Sequence, residues 1–346
     1  MGIPDLTLPL VYYSRLRGLS YAAQYIFLRS ATKLFAKTES QKPPTFAEVK
    51  LLQNETEKLI QDDIRNMAEG FYPRAVLAPE NHLKSLALFP QVVYDGLKVE
   101  WRRARGKTVD FSEDAKAYLG DLPRYFRRNF HFQTDGYLSE QSARLYDYQV
   151  EMLFNGAADA MRRLIIPPMK RKFNFSDGEG LTFLEIGAGT GSATRSMKLA
   201  FPKAKIVVLD LSDPYLKHAQ KRLSNFKRLD FVQADAAHLP FSNGTFDAVY
   251  SVFLFHELPR DVRSEVLIEA KRVLKSKAIF AFVDSLQKSD FKEVDHILEQ
   301  FPADFHEPFY RDYLATPMEA LMKEAGFGGI EGSRGYLSKW CLGSAE

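Results

Sequence analysis

The chain has 346 residues, of which 45% are hydrophobic and 26% charged, a balance typical of a globular protein with one large or two medium-sized domains. Its formal net charge of +3 gives no strong nucleic-acid signal, although short basic clusters occur. The only cysteine, Cys341, excludes an intrachain disulfide framework and favours a reducing compartment, so we expect a cytoplasmic protein.

The section from residue 1 to 168 has the pattern of helices separated by breakers. Apolar spacing predicts one helix near 21–37, a second near 46–69 and a third that starts near Ser139. A last helical turn is predicted to end at Pro167-Pro168, because proline interrupts a helix interior.

The segment 8–35 is rich in Tyr, Leu and Phe, with Arg and Lys between them. Two interpretations stay open: a helix packed on the body of the protein, which we favour, or a peripheral contact with a membrane surface. No apolar run reaches the roughly 20 residues that span a bilayer, and the N-terminus lacks a secretion signal. The sequence is compatible with a homodimer and does not decide the oligomeric state.

After Pro168 the pattern changes, and residues 169–180 are polar and turn-like. We therefore predict a helical N-terminal region, 1–168, and a second domain, 169–346. Short apolar runs then alternate with helical stretches, which is typical of a doubly wound, mostly parallel α/β sheet. Strands are predicted at 181–186, 205–209, 229–233, 247–252 and 278–283. Helices are predicted at 192–200, 213–225, 260–274 and 317–325.

The last predicted helix has a start signal, with Thr316 as N-cap, Pro317 at the first helical position and Glu319 completing a capping box. Two short strands near 329–334 and 337–342 then add an antiparallel edge hairpin. The predicted sheet has seven strands.

The first strand of this domain runs into three alternating glycines, Gly187, Gly189 and Gly191. Glycine lets the chain turn sharply and lets a ligand approach the backbone, while the helix N-terminus that follows favours a negative group, here a carboxylate. The spacing is G-x-G-x-G, preceded by the acid Glu185, whereas a dinucleotide fingerprint has G-x-G-x-x-G.

Two further acids follow strands at the edge where open α/β sheets bind ligands. Asp210 ends the second strand, where it can accept hydrogen bonds from two ribose hydroxyls, and Asp235 follows the third, where it can accept from an adenine amino group. Each acid also has a purely structural interpretation. In it, Asp210 caps the next helix, a role for which Ser212 is better placed, and Asp235 lies in a solvent-exposed turn.

Four segments, LEIGAGTG, VLDLS, QADAAHLPFSNGTFDAVYS and HELPRDVRSEVLIEAKRVLK, together resemble the class I S-adenosylmethionine-dependent methyltransferases. The branch with the ubiquinone and menaquinone C-methyltransferases and many small-molecule methyltransferases is most similar. The resemblance covers residues 180–284 well and the rest to 342 more loosely. It implies a Rossmann-like fold and S-adenosyl-L-methionine as cofactor. The implied cofactor contacts are Glu185, Gly187, Ala188, Gly189, Gly191, Asp210, Leu211, Asp235, Ala236 and Ser251. One departure, Lys275-Ser276-Lys277-Ala278 in place of Lys-Pro-Gly-Gly, affects only a turn away from the cofactor.

Methyl transfer from a sulfonium is an in-line displacement, so the protein mainly holds the acceptor in line and excludes water. No metal is expected. We predict a small, apolar or aromatic acceptor that the helical region covers. His256, after the fourth strand, is the candidate general base, and its alternative is a cap or packing role. The candidate acceptor contacts are Tyr137, Phe253, Asp284, His306 and Tyr310.

Two other functions stay open. One is RNA or protein methylation, which the strand end Ser251-Val252-Phe253-Leu254 disfavours for nucleobase amines. The other is a non-catalytic, cofactor-binding partner subunit. The sequence does not identify the acceptor or its C, N or O atom.

Overall fold

The structure is a computed structural model, which describes residues 8–35, 45–77, 86–120 and 122–346. Its first part is helical. The helices are α1 (Leu8–Phe35), α2 (Phe46–Ala68), α3 (Phe89–Ala104), α4 (Glu113–Lys116), α5 (Glu140–Leu153), α6 (Ala158–Arg163) and α7 (Ile166–Lys172). Short 3-10 turns lie at Arg74–Leu77 and Phe130–Phe132.

The second part alternates strands and helices, as predicted. Its strands are β1 (Thr182–Ile186), β2 (Lys205–Asp210), β3 (Leu229–Gln233), β4 (Phe246–Val252), β5 (Leu274–Ser285), β6 (Phe327–Gly335) and β7 (Ser338–Ala345). Its helices are α8 (Ser192–Ala200), α9 (Asp213–Arg222), α10 (Arg260–Val273), α11 (Asp295–Asp304), α12 (Tyr310–Ala315) and α13 (Met318–Glu324). Two 3-10 turns lie at Phe255–Glu257 and Lys292–Val294.

All seven strands form one sheet in the order β3-β2-β1-β4-β5-β7-β6. The first five are parallel, and β7 pairs antiparallel with both β5 and β6, so the predicted fold class and edge hairpin are confirmed. The strand order reverses direction between β1 and β4, which is the switch point where such sheets bind ligands.

Alternate residues of each parallel strand enter two different cores, because side chains of a strand point to opposite faces. On one face Leu184 and Val249 pack with residues of α10, such as Val266. On the other face Phe183 packs with residues that include Met67, at the end of α2. The N-terminal helices therefore contribute directly to the core under the sheet.

Helix α1 packs on the body of the protein, as the favoured interpretation expected. Tyr21 is buried with its ring edge against Tyr148 of α5, and Leu28 lies against Gly96 of α3. This helix begins at Leu8 rather than near Tyr21, and the predicted residues 36 and 37 lie outside the described residues. Within the described ranges, no helix combines the length and apolarity needed to cross a membrane.

One sequence-based boundary is wrong. Pro167 and Pro168 begin α7 instead of ending a helix, because proline lacks only an N–H that the first helical turn leaves unpaired. The predicted domain boundary after residue 168 falls inside this helix, and the division into two domains stays a prediction.

The start of α13 also differs from the prediction. Pro317 occupies the N-cap position without a side-chain cap, and Thr316 is instead the C-cap residue of α12. The carboxylate of Glu319 accepts a hydrogen bond from Lys339 Nζ of β7 at 2.9 Å. This ammonium competes with the capping box because the charged hydrogen bond is the stronger one.

Candidate functional site

A cavity of about 330 Å³ lies at the carboxyl ends of β1, β2 and β4. Residues of the loops after these strands line one part of it, among them Gly189, Asp210 and His256. Helices of the first region line another part, with apolar residues such as Leu28 and Val99. The cavity thus joins the sheet edge to the helical cover.

The glycine turn presents its backbone to this cavity. Gly187 has φ +68°, and a Cβ there would come within 2.9 Å of the Leu254 side chain. Gly189 has φ +56° and lines the cavity, and a Cβ there would meet no atom within 4 Å. The space that this Cβ would fill is open to a ligand, so the turn fits the close approach of a cofactor.

Gly191 has a different role from the predicted cofactor contact. It is the N-cap residue of α8 in the left-handed conformation, and a Cβ there would lie 2.7 Å from Leu223 Cδ1. It is absent from the cavity lining, so helix packing is what requires glycine at this position. Ala188 lines the cavity as predicted.

Asp210 holds the turn through its carboxylate. Gly189 N donates to Oδ2 at 2.7 Å, and Ser212 N donates to Oδ1 at 2.8 Å. Ser212 itself caps α9 by accepting from Tyr215 N. Burial raises the pKa of the Asp210 carboxyl to about 6, although these backbone hydrogen bonds oppose the rise. Each carboxylate oxygen keeps a lone pair for a further donor.

This pKa predicts that S-adenosylhomocysteine, the product form of the cofactor that the sequence resemblance implies, binds more weakly in acid. Burial has raised the pKa above that of a free carboxyl, so protonation begins as pH falls through about 6, and a neutral carboxyl accepts hydrogen bonds poorly. We expect the dissociation constant to rise about tenfold between pH 7 and pH 5. Calorimetric titration across this range tests it, with Asp210→Asn expected to show a flat profile. A flat profile in the unaltered protein would contradict it.

The other predicted cofactor residues divide into two groups. Leu211, Asp235 and Ala236 line the cavity, and the Asp235 carboxylate accepts a hydrogen bond from Ala237 N at 2.9 Å. Glu185 also lines the cavity, but Thr194 and Tyr250 hydroxyls donate to it at 2.6 and 2.8 Å.

Burial raises the pKa of Glu185 to about 7. Ser251 is fully buried beside β1 and absent from the lining, and its Oγ has no hydrogen-bond partner among the described residues.

A link between the two parts of the chain was missed by sequence reasoning. Asp147 of α5 accepts hydrogen bonds from the hydroxyls of Thr190 and Ser192, each at 2.7 Å. Arg222 Nη1 donates to the same carboxylate at 2.7 Å. The helical region therefore anchors the glycine turn directly.

His256 faces the cavity from the turn after β4, and Asp284 holds its ring. His256 Nδ1 lies 2.6 Å from Asp284 Oδ1, and Asp284 also accepts from Phe255 N and Ser285 N. Burial lowers the pKa of His256, but the charge and hydrogen bond of Asp284 outweigh it and give a value of about 9. Asp284 is fully buried and absent from the lining, so it orients His256 where we predicted an acceptor contact.

The remaining predicted acceptor residues lie in different surroundings. Phe253, Tyr137 and Tyr310 line the cavity. The Tyr310 hydroxyl is 2.5 Å from Ser285 Oγ. His306 is absent from the lining, because its ring lies against Phe132 at 5.2 Å between centroids.

Tyr137 belongs to a cluster of charged groups beside His256. Its hydroxyl donates to Glu257 Oε1 at 2.5 Å and lies 3.1 Å from His131 Nε2. The other ring nitrogen of His131 lies 2.8 Å from Glu307. Burial lowers the pKa of His131, but Glu307 and Glu257 raise it to about 10, which reflects a strongly negative local field. Sequence reasoning missed His131 and Glu307.

Comparison with known proteins identifies the family. Residues 183–277 match a family model described as a methyltransferase domain. A demethylmenaquinone methyltransferase of Thermotoga maritima is 32% identical over 165 residues, which cover 42% of this chain and 69% of that protein. The chain belongs to the class I S-adenosylmethionine-dependent methyltransferases. Members of this family are enzymes that use S-adenosylmethionine as their cofactor.

Other relatives match over similar lengths. A fatty-acid O-methyltransferase of Mycolicibacterium smegmatis is 30% identical over 178 residues, 50% of this chain and 58% of that protein. The chain thus spans less than two thirds of that relative's length. A solved S-adenosylmethionine-dependent methyltransferase of Thermotoga maritima is similar with a TM-score of 0.44 and 16% identity, over 59% of this chain and 97% of that one.

Proposed function

We propose that the methyltransferase transfers a methyl group from S-adenosylmethionine to an elongated, largely apolar small molecule. The observation that carries this proposal is the continuity of the cavity. It passes from the glycine turn and His256 to a part lined by apolar residues of α1, α3 and α11, such as Leu28, Val99 and Leu298. Apolar pockets with a few polar groups bind small organic ligands.

Three cavity-lining features would hold the cofactor. The backbone of Gly187–Gly189 would receive the methionine carboxylate, Asp210 the ribose hydroxyls and Asp235 the adenine amino group. Bound there, S-adenosylmethionine supplies an activated methyl group on a sulfonium. The protein then contributes by holding the acceptor in line and keeping water out.

His256 would contact the accepting atom. It lines the cavity, and Asp284 fixes its Nδ1, while its Nε2 lies 3.8 Å from Glu257 Oε1, beyond hydrogen-bond distance. With a pKa of about 9 the ring is an imidazolium at neutral pH, which donates a hydrogen bond to an acceptor that arrives as an anion. Above that pH the neutral imidazole takes a proton from an acceptor hydroxyl. Both roles depend on the ring orientation that Asp284 provides.

The names of relatives support a lipophilic acceptor. They include a fatty-acid O-methyltransferase and a demethylmenaquinone methyltransferase, whose names denote molecules with long apolar parts. The lining is mostly apolar, and two of its arginines, Arg103 and Arg162, pair with the carboxylates of Glu100 and Asp159. It therefore favours a small molecule over RNA.

A substitution that narrows the apolar part of the cavity tests this proposal. Val99 lines it from α3, and Val99→Trp fills space that a long acceptor would need. With fatty acids of increasing length as acceptors, we expect the variant to lose activity by at least about tenfold on long chains and to keep it on short ones, because an overfilled site costs about 1–3 kcal/mol. Labelled methyl transfer measures this.

Val109→Trp is the matched control, because Val109 is 68% exposed and lies outside the cavity lining. It should leave the chain-length profile unchanged. An equal loss for all chain lengths in Val99→Trp, or transfer only to protein or RNA fractions, would overturn the proposal.

A further inference from the structure

We infer that His131, Glu257 and Glu307 form a binding site for a divalent transition-metal ion beside the acceptor part of the cavity. The metal site itself does not depend on the proposed function, whereas its use in methyl transfer does. The sequence predicted no metal, because methyl transfer requires none and the seven histidines and one cysteine do not form a ligand cluster along the chain.

Three separate segments bring the ligand atoms together. His131 lies in the 3-10 turn Phe130–Phe132, Glu257 ends the 3-10 turn Phe255–Glu257, and Glu307 precedes α12. One imidazole nitrogen and one oxygen from each carboxylate all lie within 4.8 Å of one another. His131 Nε2 is 3.5 Å from Glu257 Oε1, a spacing that a shared cation can bridge with bonds of about 2.1 Å.

The Glu307 carboxylate gives an independent reason to expect a ligand. Its side chain is fully buried, and neither oxygen accepts a hydrogen bond from any described residue. His131 Nδ1 lies 2.8 Å from Oε1, so a protonated ring offsets part of this charge, but the ring is not aligned as a hydrogen-bond donor. A buried carboxylate without donors is costly, so a cation at this point would offset its charge.

The surrounding charge also favours a dication over a proton alone. Glu257, Glu307 and Asp284 are three carboxylates around two histidines, His131 and His256. The guanidinium of Arg263 also interacts with Asp284, so the charge of Asp284 is matched by cations. Glu257 and Glu307, in contrast, share the single ring of His131. Tyr137 donates to Glu257 and adds a neutral oxygen at the same place.

The donor set suggests which metals bind. One imidazole nitrogen with two carboxylate oxygens suits Mn²⁺, Fe²⁺ or Zn²⁺, whereas Mg²⁺ and Ca²⁺ prefer oxygen donors alone. His131 and Glu257 line the cavity, so the remaining coordination positions would face it. An acceptor carboxylate or phenolate oxygen is the class of group that such a position would take.

Metal binding by the full chain tests the inference. Chelator-treated protein is titrated with Mn²⁺ and with Zn²⁺, followed by calorimetry and, for Mn²⁺, by electron paramagnetic resonance. We expect one equivalent of either ion to bind, and Glu307→Gln to weaken binding by at least about tenfold, because the amide keeps the shape but loses the charge. His131→Gln should weaken it similarly.

Glu113→Gln is the matched control, because Glu113 has 88% exposure and pairs only with Lys116 at the surface. It should bind metal like the unaltered chain. S-adenosylhomocysteine binding should persist in Glu307→Gln, which shows that the fold and the cofactor site are intact. Absence of saturable metal binding, or equal binding by Glu307→Gln, overturns the proposed metal site. The three side chains then bind protons only. If metal-free protein still transfers methyl groups, the proposed function is retained and the metal has no part in the reaction.

Discussion

Replacement of Asp210 with alanine should weaken binding of S-adenosylmethionine at least about 100-fold. The buried carboxylate has free lone pairs at the end of β2 and lines the cavity. Hydrogen bonds to a charged group contribute about 1.5–3 kcal/mol each, and two ribose hydroxyls would therefore account for about 3 kcal/mol or more. A tenfold change in affinity corresponds to about 1.4 kcal/mol.

Two controls separate this effect from damage to the fold. Asp230→Ala removes an acid of neighbouring β3 whose side chain is 55% exposed and pairs with Lys205, so it should bind the cofactor normally. Asp210→Asn keeps an oxygen for Gly189 N and should preserve the turn while losing most of the affinity. Calorimetry and thermal unfolding measure both properties. A dissociation constant for Asp210→Ala within threefold of the original would contradict the assigned role.

The sheet could be predicted because each strand carries its signal locally. Buried parallel strands are short apolar runs, and β1, predicted at 181–186, runs from Thr182 to Ile186 with four buried residues. Boundaries were less accurate where residues outside the element decide them. β5 extends back to Leu274, past the polar Lys275–Lys277, because pairing with Phe246 of β4 holds it. The pairing of Glu319 in α13 with Lys339 in β7 was invisible for the same reason.

The sequence predicted that two acids lie at the sheet edge, whereas the positions of the residues around His256 were largely unpredictable. Asp210 ends β2 and Asp235 follows β3, so parallel topology alone places them at one sheet edge. His131 and Glu307 lie in irregular segments, where no periodicity predicts position. His131 has φ +56°, a left-handed conformation that no sequence pattern indicated. The one available signal was a histidine between two aromatic residues, Phe130 and Phe132. This pattern is equally typical of a hydrophobic core.

Replacement of His256 with glutamine should reduce the turnover rate about 10²–10⁴-fold while leaving cofactor affinity unchanged. That range is typical for loss of a positioned proton-transfer group. Glutamine keeps a polar side chain of similar length but titrates no proton. Single-turnover methyl transfer and S-adenosylhomocysteine titration measure the two quantities separately. His296→Gln is the matched control, because the His296 side chain is 48% exposed, pairs with Glu48 and lies outside the cavity lining.

Substitution of Asp284 tests whether His256 takes part in the reaction as an oriented group or only lines the cavity. Asp284→Asn removes the charge that holds Nδ1 at 2.6 Å, so it should also lower turnover if orientation matters. Because Asp284 touches no cavity, its effect must pass through the ring, and the double variant should then be no slower than His256→Gln alone. Additive losses would instead mean that Asp284 stabilises the strand end through Phe255 N and Ser285 N, independently of His256. If the His256→Gln variant has a turnover rate close to that of the unaltered protein, this histidine only lines the cavity.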